Sequence, residues 1–406
     1  MRLYQINSVL NYGSTGRIVE QIGCCVQAAG GQCRVAHGSK FPRPSALDHL
    51  VMGGRADVLW HEAQSFLLDR MGMASRRATR RLIDDIAAFR PDIVHLHNLH
   101  NYYLNYPILA RYLASTGVPV VWTLHDCWPF TGHCCYFDAT GCTRWQAACG
   151  DCPCPHGEYP RLLLPDHSAR NYRLKRAAFE PLSGQLTLVP VSDWLAAYLK
   201  DSFLRNAACQ VIHNGIDLQA FRPCNPSALR ARLGLGGKKV ALGVALPWIP
   251  RKGLKDMLAL SASLPADQWQ VVLVGLSPGQ LAELPKGVLG VERTADVDEL
   301  AQYYSLADVY VTTSYEDNFP STNLEALACG TPVVTYATGG CPEAVDAATG
   351  RVVPQGDVAA LAEAVRAVDK ARMTAACRAR AERLFDRETC FGTYLHLYES
   401  LLSRKA

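Results

Sequence analysis

The chain has 406 residues, of which 49% are hydrophobic and 19% charged. That length exceeds one ordinary core and points to two large domains, while the apolar fraction excludes a disordered or collagen-like chain. The 41 Lys and Arg nearly balance the 37 Asp and Glu, so the net charge of +4 gives no global pull towards nucleic acid, and no apolar run approaches the ~18–20 residues of a membrane span.

In chain order, Arg2–Asn7 predicts a first strand, and the absence of an apolar h-region or small-residue cleavage site after it argues against a signal peptide. Gly13-Ser14-Thr15-Gly16 predicts a turn and Arg17–Ala29 a helix stopped by Gly30-Gly31. Arg34–His37, Asp92–His97, Pro119–His125, Leu186–Ser192 and Cys209–His213 are the next strands, with helical stretches between them. Near-continuous apolar strands alternating with helices imply a parallel sheet covered on both faces. After the mixed segment Asn214–Gly237 the alternation restarts with Val240–Ala245, Trp269–Gly275, Val288–Val291, Asp308–Thr313 and Pro332–Tyr336. The expected organisation is an α/β domain over 1–213 carrying a cysteine-rich insert at about 127–156, a second α/β domain over 214–388, and an amphipathic helix in 389–406. Cys390, Tyr394, Leu397 and Tyr398 mark that helix by their spacing. Two such domains facing each other would gather the carboxyl ends of their strands around a central cleft, where open α/β sheets take ligands.

Sixteen cysteines are present, seven of them between Cys127 and Cys154. A long α/β chain is not a stapled secreted scaffold, and a reducing cytoplasm is the expected compartment. The spacing Cys134-x7-Cys142-x6-Cys149-x2-Cys152, ending in a Cys-x-x-Cys knuckle, predicts a closed tetrahedral zinc site. Cys135, Cys154, His133 and His156 are alternative ligands, and buried thiols or two disulfides are the competing explanations.

Five arginines, Arg70, Arg76, Arg77, Arg80 and Arg81, fall beside Met71 and Met73. They read either as a solvated helix face or as a surface that meets anionic lipid, at the inner face of the membrane, or a phosphorylated acceptor. His125 and Asp126 end a buried strand, where ligands of a first domain bind; a histidine satisfied by a loop carbonyl is the plainer reading. Arg251-Lys252-Gly253 precedes a helix and could neutralise a diphosphate. Asp317 and Glu325 stand eight positions apart across a loop and a helix start, where both could bind the hydroxyls of one ligand. For Glu325 alone, a capping box with Thr322 is an alternative. Gly339-Gly340 forms a further glycine turn after a strand.

Taken together, these segments resemble the family 4 retaining glycosyltransferases of GT-B fold, and among them the bacterial exopolysaccharide enzymes of the colanic-acid or capsule type. The markers are Gly13–Gly16, Trp122-Thr123-Leu124-His125-Asp126, Asn214-Gly215-Ile216-Asp217, Arg251-Lys252-Gly253, Asp317…Glu325-Ala326, Gly330-Thr331-Pro332 and Gly339-Gly340…Glu343. The resemblance implies two Rossmann-like domains with a central cleft and a C-terminal helix able to cross back to the first domain. It implies transfer from a UDP- or GDP-linked sugar to a saccharide or lipid-linked saccharide acceptor in surface polysaccharide biosynthesis, with no organic cofactor and no nucleic acid partner. By the same resemblance Lys252 grips the donor diphosphate, Asp317 binds the donor sugar, Glu325 binds the ribose, and His125 stands near the reacting sugar with Gly16 passing close to it. Catalytic roles then fall to His125, Arg251, Lys252 and Asp317. Donor binding falls to Gly16, Asn214, Gly215, Arg251, Lys252, Asp317, Asn318, Phe319 and Glu325. Two departures stand out: Pro247 occupies the place of a family arginine, and Pro320 follows Phe319 where glycine is usual. The sequence has no Asp-x-Asp placed for a divalent ion, so no catalytic metal is expected. A nucleotide-sugar epimerase of similar fold and a non-catalytic nucleotide-sugar-binding protein remain the alternatives.

Overall fold

Side chains of the first strand alternate between two cores, Tyr4 and Ile6 in one and Leu3 in the other, as the period of two demands of a sheet buried on both faces. The computed structural model describes residues 1–153 and 166–404. It divides into two compact units, one formed by Met1–His213 with Phe391–Ala406 and the other by Asn214–Cys390.

Unit 1 contains β1 (Arg2–Asn7), β2 (Gln32–Gly38), β3 (Asp48–Met52), β4 (Ile93–Leu96), β5 (Val120–Leu124), β6 (Leu186–Pro190) and β7 (Ala208–Cys209). Every pairing is parallel and the order is β3-β2-β1-β4-β5-β6-β7. One core holds Trp122, Trp128, Phe130 and Tyr106. The other is closed by Phe391, Tyr394, Leu397 and Tyr398 of the C-terminal helix Arg387–Ser403. That helix is anchored by Tyr398 Oη against His95 Nδ1 at 2.7 Å and by Tyr394 Oη against Thr123 Oγ1 at 2.9 Å.

Unit 2 contains β8 (Lys239–Val244), β9 (Trp269–Val274), β10 (Val288–Val291), β11 (Val309–Thr312), β12 (Val333–Tyr336) and β13 (Gly350–Val353), in the order β10-β9-β8-β11-β12-β13 and again all parallel. In both units the order reverses beside the first strand, between β1 and β4 and between β8 and β11. An open parallel sheet presents its ligand crevice at such a reversal, outside the carboxyl ends of the strands.

Several local expectations change. The glycines from Gly13 to Gly16 form the first turn of a helix, Gly13–Ala28, rather than a separate turn before it. Strand Cys209–His213 shrinks to the exposed edge pair Ala208–Cys209. The alternative reading of Glu325, a capping box with Thr322, does not hold: helix Ser321–Ala328 starts after Pro320, so Thr322 lies inside its first turn. No helix among the described residues is long and apolar enough to cross a membrane.

Candidate functional site

The reversal between β8 and β11 sets the geometry in unit 2. The chain leaving β8 runs to a short 3-10 turn, Pro250–Lys252, and then to helix Leu254–Ser263. The chain leaving β11 carries residues 313–320. Gly253 joins the two: its φ is +72°, and a Cβ there would lie 2.0 Å from Thr313 O, so only glycine allows so close an approach. Thr313 Oγ1 donates towards the carbonyls of Lys252 at 3.1 Å and Gly253 at 2.9 Å.

This clamp brings Lys252 Nζ to 2.5 Å from Asp317 Oδ2. Ser314 Oγ adds a bond to the same oxygen at 3.3 Å, and the Asn318 N–H approaches Oδ1 at 3.2 Å. Burial would raise the Asp317 carboxyl, but the charges of Lys252 and Arg251 and the hydrogen bonds from Lys252 and Ser314 outweigh it and hold the group below the usual carboxylate range. Arg251 is latched to the same loop, since its Nη1 donates to Glu316 O at 2.9 Å and its carbonyl accepts from Tyr315 N at 2.7 Å. Gly339, with φ +53°, lets the next loop pass against Asp317, where a Cβ would fall 1.8 Å from the Asp317 carbonyl oxygen.

Glu325 is buried in helix Ser321–Ala328. It accepts from Tyr304 Oη at 2.6 Å and from Ser321 Oγ at 3.4 Å. Burial first, and then the charges of Glu325 and Asp317, hold the Tyr310 phenol above its ordinary value. Asn214 Nδ2 donates to Phe319 O at 3.2 Å, and the Phe319 ring packs 5.8 Å from Phe385. A Cβ on Gly215 would meet Arg387 Cα at 2.5 Å, so these residues brace the loop from behind. The unit therefore offers two cations and two carboxylates at a sheet reversal, a set suited to a diphosphate and hydroxyl groups.

In unit 1, His125 follows β5 directly. Its Nε2 lies 3.2 Å from His97 Nδ1, and His97 Nε2 lies 3.1 Å from Gln5 Oε1. The His95 ring lies tilted against that of His97, with centroids 4.1 Å apart. Asp126 binds His100 Nε2 at 2.8 Å and accepts from Trp128 N at 3.0 Å. Burial pushes the rings down, His125 to about 4, His95 to about 3 and His97 well below 6.5. All three are thus neutral when folded, and the unfolded chain binds more protons below pH 6.5. Unit 1 should keep its full stability above pH 6.5 and lose it as the pH falls towards 4. Denaturant titrations followed by tryptophan fluorescence check this, and a midpoint unchanged from pH 7 to 4.5 contradicts it. Gly16 sits in the first turn of helix Gly13–Ala28, its carbonyl accepting from Asn11 N at 3.0 Å.

The cysteine insert lies in unit 1. Cys134, Cys142, Cys149 and Cys152 line one small cavity together with His133 and Trp145. The alternative ligand Cys135 is turned elsewhere, its Sγ within 4.8 Å of ligand atoms of His100 and Asp126, a buried group that could itself hold an ion. Cys154 and His156 lie outside the described residues.

A family model described as Glycosyltransferase Family 4 matches residues 15–220, just over half of the chain, and one described as Glycosyl transferases group 1 matches residues 239–369. The chain belongs to glycosyltransferase family 4. It is 26% identical over 284 residues to WcaC of Escherichia coli (strain K12), whose name assigns it to colanic acid biosynthesis as a glycosyl transferase; the match covers 67% of this chain and 66% of WcaC. A D-inositol 3-phosphate glycosyltransferase of Geodermatophilus obscurus is 36% identical over 178 residues, 39% of each chain. The chain thus spans slightly under two thirds of the first relative and well under half of the second. The fold is similar to that of a sucrose-phosphate synthase from Thermosynechococcus elongatus, with a TM-score of 0.70 at 20% identity over 99% of both chains. Two Rossmann-like units make this the GT-B fold of the family.

Within this family 4 chain, sequence reasoning missed Tyr304, the partner of Glu325, and Lys175. Tyr304 stands 21 residues from Glu325, so no local pattern joins them. Lys175 was legible: in helix Ser168–Phe179 the buried positions Ser168, Asn171, Tyr172, Lys175 and Phe179 follow helical spacing and place it on the inner face. Its Nζ donates to Trp128 O at 2.6 Å and lies 3.6 Å from the Trp128 ring centre, and burial pushes it down to about 7.

Proposed function

We propose that this family 4 protein is a retaining glycosyltransferase, moving a sugar from a UDP- or GDP-linked donor to a saccharide or lipid-linked saccharide acceptor in bacterial surface polysaccharide assembly. The observation that carries the reading is the Lys252–Asp317 pair at the sheet reversal of unit 2, flanked by Arg251. Lys252 and Arg251 neutralise the donor diphosphate, Asp317 accepts from donor sugar hydroxyls, and Glu325 accepts from the ribose. Asn214, Gly215, Asn318 and Phe319 shape the donor loop. His125 and Gly16 serve the reacting sugar from unit 1. With Pro247 where the family carries an arginine, Arg251 is the second cation.

In the transfer, the bond from the anomeric carbon to the diphosphate oxygen breaks and its electron pair stays on the diphosphate. The acceptor oxygen bonds to the same face of the sugar, and its proton passes to the departing diphosphate. Charge develops on the leaving oxygens, where fixed cations stabilise it best. No divalent ion is assigned at that position. The test is a screen of nucleotide sugars for binding and hydrolysis, followed by acceptor trials with the preferred donor. Retained anomeric configuration in the product, insensitive to brief chelation, supports the reading. Donor isomerisation without an acceptor identifies an epimerase instead, and donor binding without turnover a binding protein.

The acceptor side of this reading includes peripheral attachment to an anionic inner-membrane surface. Arg70, Arg76, Arg77, Arg80 and Arg81 are all exposed, while helix Arg76–Phe89 buries Thr79, Leu82 and Ile86. The preceding helix Arg55–Leu68 exposes Leu59 at 65% and Trp60 at 66%, with Leu67 and Leu68 also open. Bases beside exposed apolar side chains suit a lipid interface, where each base contributes ~1 kcal/mol. Sedimentation with anionic vesicles should show binding at low salt that weakens at high salt and in an Arg76→Glu/Arg80→Glu variant. Equal recovery with anionic and neutral vesicles contradicts it.

A further inference from the structure

We infer that the insert following β5 holds one structural zinc ion on the thiolates of Cys134, Cys142, Cys149 and Cys152. Four cysteines drawn from three stretches of chain converge on a single small cavity. Cys134, Cys142 and Cys149 sit at the edge of the aromatic core that holds Phe130, Phe137 and Trp145, with Trp145 lining the same cavity. The Phe137 and Trp145 rings stack 5.0 Å apart, with Phe130 5.2 Å from Trp145 and Tyr198 5.0 Å from Phe137.

The surroundings are those of a metal thiolate. The Gly132 N–H donates to Cys149 Sγ at 3.1 Å, the kind of outer bond that fixes a thiolate ligand and tempers its charge. Gly132 has to be glycine for this, since a Cβ would lie 2.7 Å from Cys149 Cβ and 2.2 Å from Ser168 O. The Cys149-Gly150-Asp151-Cys152 knuckle is held in a demanding conformation: Gly150 has φ +153° and Asp151, a non-glycine residue, φ +43°. It is tied down by Arg144 Nη1 on Gly150 O at 2.6 Å and by Cys152 N on Asp166 Oδ2 at 2.7 Å.

The thiols also crowd one another. Adjacent buried thiols oppose one another's ionisation, whereas a divalent cation at their centre reverses that order and releases their protons to solvent. His133 is engaged through Nδ1 with Asp69 Oδ1 at 2.8 Å, and Cys135 faces His100 and Asp126. A shell of four thiolates leaves no open position for chemistry, so the ion orders the loop that starts at His125 and takes no part in transfer.

The test is elemental analysis of the full-length chain, purified from zinc-containing medium with no metal added to the buffers. About one zinc per chain is expected, reduced to near zero in Cys149→Ser/Cys152→Ser and unchanged in Cys209→Ser, which alters an exposed cysteine outside the insert. Should the double variant fail to fold, the unaltered protein decides. Cobalt(II) exchanged into it should give the charge-transfer and visible bands of a tetrahedral thiolate complex, and a mercurial reagent should release zinc in step with modification of these four residues by mass spectrometry. Protein purified without zinc and silent with cobalt, or zinc released independently of these four thiols, overturns the inference.

Discussion

Replacing Lys252 with alanine should lower kcat/KM for the preferred donor by roughly 100- to 1000-fold, the range seen when one preorganised stabiliser of developing charge is removed. Lys252 is the cation that a clamp of Gly253 against Thr313 presses into the β8/β11 reversal, and its ammonium is matched by Asp317 at 2.5 Å. A diphosphate arriving there competes with Asp317 for the same charge, which frees the carboxylate for sugar hydroxyls. The variant also strands a partly buried carboxylate, a cost of ~1–3 kcal/mol that Arg251 and Ser314 offset in part. Stability and activity can be separated with a second variant. Lys252→Ala/Asp317→Asn should regain much of the lost stability and none of the lost turnover. If the double variant recovers both, Lys252 serves only to satisfy Asp317.

Glu325→Gln should reduce kcat/KM by roughly 100-fold, mostly through a higher donor KM, because a charged acceptor for ribose hydroxyls contributes ~1.5–3 kcal/mol. The geometry removes one rival and supplies another. With Pro320 at the helix entrance, Glu325 is no longer placed to cap, but it is buried and accepts from Tyr304 Oη at 2.6 Å. Its charge could exist only to hold that phenol. Tyr304→Phe distinguishes the two, since it removes the hydroxyl and leaves the carboxylate. Near-normal donor KM in Tyr304→Phe beside a large rise in Glu325→Gln identifies a ligand-binding acid; matching defects in the two variants make Glu325 a structural partner of Tyr304.

Central strands were legible because burial on both faces makes them continuous apolar runs, as in Val120–Leu124 and Trp269–Val274. The strands β3 and β13 were not, because they are sheet edges. Asp48–Met52 is mostly open to solvent, and Gly350–Val353 exposes Arg351 and Val352, so neither carries the apolar signature. Arg251, Lys252 and Asp317 could be picked out because each follows a strand at a glycine turn, and the pairing of Lys252 with Asp317 depends on the sheet order, which places β11 beside β8 across 64 residues of intervening chain. The histidines at 95, 97 and 125 show the complementary failure. Their contacts join β4 to β5 and to the C-terminal helix, through Tyr398 on His95, and no spacing along the chain encodes that meeting.

The central claim is that the β8/β11 reversal of unit 2 seats the diphosphate of a nucleotide donor on Lys252. Titration calorimetry with UDP and GDP, on the unaltered protein and on Lys252→Ala, tests it without needing the acceptor. One of the two nucleotides should bind the unaltered protein in about a 1:1 ratio and bind the variant at least ~10-fold more weakly, with the loss shrinking as salt screens the cation. Equal affinity of both proteins for the preferred nucleotide, or no binding of either nucleotide to the unaltered protein, would contradict it.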